Sequence, residues 1–212
     1  MNDNYSIVKY FDSTCRIIID EFNFNFRGLN EEEMIRYANE KFCEADLAFR
    51  LGNPFRNMAR YTLQGSRGKD IIIDHKDFEV EVKYWRNWIG GSNRDSRAKA
   101  TWSNNFESAF LWLCDEIDSG NKGKRAFIAG WCTVFGWNKL LQLGASVGSN
   151  PPINKDRLHL LPFLNCKDGK LQSVKTLYDL RSSTYRVPER ESIINWELFG
   201  EQDDCFNMVI YW

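Results

Sequence analysis

Two acids and a lysine in the segment 68–85, GKDIIIDHKDFEVEVKYW, are the residues of this sequence best suited to carry out chemistry. Glu81 and Lys83 are separated by one residue, and side chains two apart on a β-strand point to the same face. Asp70 precedes an apolar, β-branched run that is typical of the neighbouring strand of a hairpin. The segment therefore predicts that three ionisable groups lie close together, provided that the hairpin has a suitable register.

The register of this hairpin decides whether Asp70 joins the other two residues. A two-residue turn at 75–76 pairs Ile72 with Glu79. The same turn places Asp70 directly opposite Glu81, with Cβ atoms about 5 Å apart. A slip of one residue would move Asp70 to the other face of the sheet.

Two carboxylates at this separation repel each other, and each raises the pKa of the other unless a cation is present. A divalent ion such as Mg²⁺ or Mn²⁺ resolves the conflict, because carboxylates, waters and phosphate oxygens are its usual ligands. Such an ion polarises a phosphoryl oxygen and lowers the pKa of a bound water. Lys83 would orient or activate that water, or bind the scissile phosphate. The pattern thus indicates a site that hydrolyses phosphodiester bonds.

The pattern of Asp, ten residues and Glu-Val-Lys on adjacent strands resembles the PD-(D/E)xK nuclease superfamily, which is restriction-endonuclease-like. The resemblance covers about residues 30–135. It implies an α/β fold with an αβββαβ core, whose mixed sheet is flanked by helices. It also implies that Asp70 and Glu81 bind the metal, that Lys83 is the catalytic lysine, and that the Val82 carbonyl is a further metal ligand.

Two features concern the fit of this chain to the family pattern. Lys69 stands before Asp70, where proline is frequent in the family. Some members also place a carboxylate on the first core helix. The first candidate for that role is Glu44, and the second is Glu40.

The same residues allow simpler interpretations. Charged residues at alternate strand positions are most often a solvated face, and the bare pattern arises by chance in many chains. One alternative function is a nuclease-like fold used as a non-catalytic nucleic-acid- or protein-binding module. Another is an interaction or immunity protein with a coincidental motif, which the net charge of −1 favours. The hairpin context, and the helix and buried strand that follow it, favour an active site.

Basic residues flank the hairpin on both sides, in the segments 47–69 and 83–99. Solvated loops are the simplest interpretation of such segments. Their functional interpretation is neutralisation of backbone phosphates on either side of a scissile bond. The expected nucleic-acid contacts are Arg60, Arg67, Lys69, Arg86, Arg94 and Arg97. Three tryptophans in or near these segments are candidates for stacking on bases, although core packing is the commoner role of tryptophan. They are Trp85, Trp88 and Trp102.

Composition limits the class of protein. The 212 residues, 43% of them hydrophobic, are enough for one domain with a packed core. Residues 1–212 are therefore expected to form a single domain, with a nuclease-like core at about 30–135 and a C-terminal extension at about 137–212. The six cysteines lack close, patterned spacing, which favours reduced thiols in a cytoplasmic protein. No secretory signal and no membrane span are expected.

Hydrophobic periodicity and capping patterns predict the elements that position the site. Three helices are expected: the first at 5–22, the second from Asn30 to a point near 52–54, and the third at about 104–118. Asn30 with Glu33, and Asn104 with Glu107, have the spacing of a capping box. Residues 55–69 are expected to be irregular. A buried strand in RAFIAGWCTVF should pair in parallel with the hairpin through the third helix, and FNMVIYW should form a terminal strand.

The sequence therefore predicts a cytoplasmic nuclease that depends on Mg²⁺ or Mn²⁺ and acts on DNA, with RNA left open. Its small size is consistent with a restriction, mobile-element or phage-defence enzyme, an assignment made by analogy with the family. Cutting both strands with one such centre per chain would require a homodimer. His75 at the turn and His159 are read as surface or core residues in preference to catalytic ones.

Overall fold

A computed structural model describes residues 7–55, 59–61, 68–85, 102–132, 160–162, 166–167, 170–171, 181–201 and 204–212. Its centre is a seven-stranded sheet with the strand order β1-β2-β3-β4-β9-β8-β7. These strands are β1 (Ala59–Tyr61), β2 (Ile71–Ile73), β3 (Phe78–Trp85), β4 (Arg125–Cys132), β7 (Ser182–Arg186), β8 (Ile193–Phe199) and β9 (Phe206–Tyr211). A separate two-stranded antiparallel sheet is formed by β5 (Cys166–Lys167) and β6 (Lys170–Leu171).

The sheet is mixed, as predicted. β3 and β4 run parallel, and every other neighbouring pair in this sheet is antiparallel. Parallel neighbouring strands need a long crossover connection, which is usually helical, and the connection between β3 and β4 contains a helix. The predicted parallel pairing through the third helix is therefore confirmed.

Helices cover both faces of the sheet. One face is covered by α1 (Ile7–Phe26), α2 (Glu31–Lys41) and α3 (Glu44–Gly52), and the other by α4. α4 is α-helical over Ser108–Glu116, with π-helical turns at Trp102–Glu107 and Ile117–Asn121. β4 is buried on both faces along its whole length, so it contributes alternate side chains to each core.

The hairpin of β2 and β3 has the predicted register. Ile72 pairs with Glu79, and the buried neighbours Ile71 and Val80 also pair. The chain reverses in a single 3₁₀ turn over Asp74–Lys76, which the left-handed Asp77 (φ 50°) closes by donating its N–H to the Asp74 carbonyl. Asp70 lies immediately before β2, and this register places it on the same face as Glu81.

The single helix predicted from Asn30 to about 53 is wrong. Phe42 and Cys43 are extended, and they separate α2 from α3. Phe42 is buried against Phe22, with ring centroids 4.0 Å apart, while the Sγ of Cys43 accepts the Asp46 N–H and caps the new helix. The apolar stripe of the single predicted helix included Phe49, whose side chain is 60% exposed in the structure.

Two further expectations are corrected. The segment predicted to be irregular contains the edge strand β1, which three consecutive residues pair to β2. α4 begins at Trp102, so Asn104 lies inside the helix and does not cap it.

The region assigned as a C-terminal extension contributes β7, β8 and β9 to the same sheet, and β9 is the predicted terminal strand.

Several expectations concern residues for which the structure gives no description. Arg67, Arg86, Trp88, Arg94 and Arg97 lie outside the described residues, as does His159. The five cysteines whose side chains are described are free thiols. Over the same described ranges, no helix combines the length and the apolar character needed to cross a bilayer.

The two predicted capping boxes provide a matched test of the fold. Asn30 caps α2 reciprocally: its side chain accepts the Glu33 N–H at 3.0 Å, and Glu33 accepts the Asn30 N–H at 3.0 Å. Replacing Asn30 with Ala should lower the free energy of unfolding by about 1 kcal/mol. Asn104→Ala, within α4, should change it by less than about 0.5 kcal/mol. Urea denaturation measures both, and equal effects would contradict the helix boundaries given above.

Candidate active site

The candidate site lies where β3 continues past the end of β2. β3 is eight residues long, but β2 pairs with only three of them. Beyond that point, on the side that β2 would occupy, the Val82 N–H donates to Oδ2 of Asp70 at 2.7 Å. The Tyr84 N–H donates to Oε2 of Glu44 at 3.4 Å. Two carboxylates therefore bind backbone groups that a longer β2 would have bound.

Three carboxylates surround the ammonium group of Lys83. Its Nζ lies 2.8 Å from Oε1 of Glu81, 3.2 Å from Oε1 of Glu44 and 3.8 Å from Oδ2 of Asp70. All four side chains are partly buried, with exposed fractions between 15% and 30%. The structure thus brings together the predicted Asp70, Glu81 and Lys83, and it adds Glu44 in preference to Glu40.

A second ammonium group binds the same cluster from the opposite side. Nζ of Lys69 lies 3.2 Å from Oε2 of Glu81. It also lies 3.8 Å from the ring centroid of Trp112, within the range of a cation–π contact. Lys69 was expected to contact phosphate, and the structure places it beside the acids.

The break between α2 and α3 brings Glu44 to the cluster. Glu44 is the first residue of α3, where the helix dipole favours a carboxylate. α3 packs tightly on the sheet: Cδ2 of Leu47 would lie only 3.1 Å from a Cβ added at Gly130 of β4. The glycine thus leaves room for a close approach of helix and sheet, which a Cβ at this position would make tighter.

The environment shifts the pKa of Asp70 and that of Lys83. Burial raises the pKa of Asp70 from 3.8 to about 6, and the charges of Glu81 and Glu44 add to this. Lys83 and the Val82 N–H oppose the shift but do not cancel it. Burial by itself lowers the pKa of Lys83, but the negative charges of Glu44, Glu81 and Asp70 outweigh it and raise the pKa. Lys83 is therefore an ammonium ion at neutral pH.

The donor set is of the kind that a hard divalent ion takes. Glu44, Asp70 and Glu81 offer carboxylate oxygens, which suit Mg²⁺ and Mn²⁺. The Val82 carbonyl points to the same edge of β3 as the Val82 N–H, since both groups of a strand residue face one side. In the described part of the chain, no three His, Cys, Asp or Glu side chains already stand in a metal-holding arrangement, and the Lys83 ammonium lies among the carboxylates.

The remaining predicted residues lie elsewhere or outside the described ranges. Arg60 forms a bidentate ion pair with Asp74 at the hairpin turn. Glu40 is exposed on α2, in a shallow groove lined also by Glu33 and Arg36. Glu79 shares the face of Glu81 but lies 3.7 Å from Nε of Arg125, a buried arginine that also binds Glu116. His75 is an exposed turn residue.

Sequence reasoning missed the contact of Lys69 with Trp112. Trp112 lies in the helix predicted at about 104–118, where a core position was expected for it, and its ring does pack against the core formed by α4 and the sheet. Its other contact, with Lys69, depends on how the crossover helix lies over β3, which no local spacing reveals. The only related feature of the sequence was Lys69 itself. It stands immediately before Asp70, where proline is frequent in the superfamily that the pattern resembles.

Comparisons of the chain with protein-family models, with curated proteins and with solved structures found no match. What the candidate site does must therefore be inferred from the geometry of its residues.

The raised pKa of Asp70 predicts that removing its charge stabilises the protein at neutral pH. Above pH 6 Asp70 is ionised in both folded and unfolded chains, and the folded state bears the cost of the buried charge. Asp70→Asn should then raise the free energy of unfolding by about 1–3 kcal/mol at pH 7.5. The gain should shrink as the pH falls from 6 towards 4, where the folded protein protonates Asp70. Urea denaturation at several pH values measures it.

Asp77→Asn is the matched control. A hydrogen bond from Lys124 lowers the pKa of Asp77, so its ionised form stabilises the folded state. Asp77 has a left-handed backbone that asparagine also adopts readily. This substitution should bring no gain at pH 7.5. A stabilising effect of equal size in both variants, or a gain in Asp70→Asn that does not depend on pH, would contradict the assigned environment.

Proposed function

We propose that this protein is a divalent-metal-dependent nuclease that hydrolyses phosphodiester bonds in DNA, of the restriction, mobile-element or phage-defence type. The observation that carries the proposal is the convergence of Glu44, Asp70 and Glu81 on the ammonium of Lys83. On a solvated strand face, nothing would require Glu44 of α3 and Asp70 before β2 to lie beside the same lysine, Lys83. A site that binds a metal ion and a phosphate would require these groups to lie together.

The order of elements supports the proposed relationship to the PD-(D/E)xK superfamily. A helix is followed by the antiparallel strands β1, β2 and β3, then by α4, and then by β4 parallel to β3. This is the order that the resemblance implies for the nuclease core. Glu81 and Lys83 lie on β3, and Asp70 lies immediately before β2, which is compatible with the positions that the resemblance implies.

In this proposal Asp70 and Glu81 hold the ion, with the Val82 carbonyl and Glu44 as further ligands. The ion, when bound, polarises a phosphoryl oxygen and makes a water more acidic. Lys83 would donate hydrogen bonds to the attacking water or to the scissile phosphate. Lys69 supplies a second positive charge for the backbone.

Cleavage assays test the proposal directly. Plasmid and linear DNA are incubated with Mg²⁺, with Mn²⁺ or with EDTA, and the products are separated on gels. We expect cleavage by the wild type only when a divalent ion is present. Asp70→Asn, Glu81→Gln and Lys83→Ala should each lower the rate by about 100-fold or more, since each removes a group that acts on the transition state.

Two substitutions serve as matched controls for these variants. Glu79→Gln changes an acid of the same strand and face, and Lys124→Ala removes an exposed lysine paired with Asp77. Both should cleave within about threefold of the wild type, a change worth less than 1 kcal/mol. Cleavage that survives Asp70→Asn and Lys83→Ala would remove the proposed mechanism.

Metal binding separates the enzyme from a non-catalytic module of similar fold. An ion that binds only the folded protein stabilises it, by about 2.7 kcal/mol at 100 times its Kd. Mn²⁺ should therefore raise the melting temperature of the wild type and should do so much less in Glu81→Gln. A protein that binds DNA but is not stabilised by Mn²⁺ would be the binding module.

A further inference from the structure

The carboxylate of Glu81 lies between two ammonium groups. Its Oε1 is 2.8 Å from Nζ of Lys83, and its Oε2 is 3.2 Å from Nζ of Lys69. The exposed fraction of this side chain is 16%, so water does little to screen the contacts. Each oxygen thus faces one ammonium group, and a divalent ion that approaches Glu81 must compete with these positive charges for the same carboxylate.

The two lysines differ in what they would lose by leaving Glu81. Lys83 keeps two other carboxylates, those of Glu44 and Asp70. Lys69 keeps the face of the Trp112 ring and, among the residues that the structure describes, no second acid. The Lys83 ammonium thus stays within the acids, while Lys69 is held at Glu81 by a single ion pair.

Trp112 keeps Lys69 near the site after it leaves Glu81. The ring belongs to α4 and packs against the core beneath the sheet, so it is a fixed surface. A cation over an aromatic face gains about 0.5–2 kcal/mol and retains hydrogen-bond donors for another partner. A phosphate oxygen of the substrate is the partner that the charge of Lys69 suits best.

We propose that Lys69 is an exchangeable counter-ion of Glu81 that couples metal binding to DNA binding. The inference depends on the proposed function. Without metal, Lys69 neutralises Glu81. When Glu81 binds the ion, Lys69 leaves Glu81. Lys69 then stays on the Trp112 ring and binds a phosphate of the substrate. Lys69 is thus a positioning residue, and the ion and the DNA each strengthen the binding of the other, since such coupling is reciprocal.

Calorimetry with Mn²⁺ alone tests the first half of this proposal. Lys69→Met keeps the stem that packs on Trp112 but removes the competing charge. It should bind Mn²⁺ about tenfold more tightly than the wild type, because a positive charge beside the ion is gone. Lys69→Arg keeps the charge and should stay near the wild-type affinity. Lys124→Met, remote from the acids, is the control.

The second half is tested with a fluorescent duplex whose phosphorothioate linkages resist hydrolysis. Mn²⁺ should raise the affinity of the wild type for this duplex about tenfold, and the duplex should raise the affinity for Mn²⁺ by the same factor. In Lys69→Met both factors should fall to about one, while Lys124→Met should keep them.

Different outcomes separate this inference from the function on which it depends. Equal or weaker Mn²⁺ binding by Lys69→Met, in a protein that binds Mn²⁺ and cleaves DNA, would overturn the counter-ion and leave the nuclease. Retention of full coupling in Lys69→Met would do the same. A wild type that neither binds Mn²⁺ nor cleaves DNA would overturn both.

Discussion

The short length of β2 is the constraint on which the rest of the site depends. β3 is a central strand, and its N–H groups must be hydrogen-bonded on both sides. β4 binds it along one side, but β2 stops after three pairs on the other. Asp70 and Glu44 accept the hydrogen bonds of Val82 and Tyr84 at that edge. The acids therefore contribute to the sheet itself, which fixes their positions before any ligand arrives and limits how far a substitution can move them.

The same arrangement concentrates charge in a place with little water. Three carboxylates and the ammonium groups of Lys69 and Lys83 lie within a few ångströms, all partly buried. The raised pKa of Asp70 shows that Lys83 and the Val82 N–H do not cancel the effect of burial on this carboxylate. Apolar packing of similar volume is often as stable as a buried cluster of charges, or more stable. Perturbed ionisation in a charged cluster is instead a recurring property of sites that bind ions or substrates.

Much of this could be predicted from the sequence, and the failures have physical causes. The alternation along β3 and the turn after Ile73 determine the register, so Asp70, Glu81 and Lys83 could be placed together from local patterns. The break at Phe42 could not, because a helical stripe continues through it, whereas the extended backbone depends on the tertiary packing of Phe42 against Phe22 and Phe26. Glu44 was therefore one of two candidates. The contact of Lys69 with Trp112 joins residues 43 positions apart by tertiary packing, which no periodicity records.

The position of β9 affects the order in which the molecule can be assembled. β9 is made after all other strands of the sheet, yet it lies between β4 and β8. Until it inserts, β4 and β8 each have an open edge, and the half that carries the acids is not joined to the other half. Open edges of this kind recruit other chains and slow folding, because the contacts that close them are distant in sequence. Residues 206–211 therefore join the half of the sheet that carries the acids to the half formed by β7 and β8.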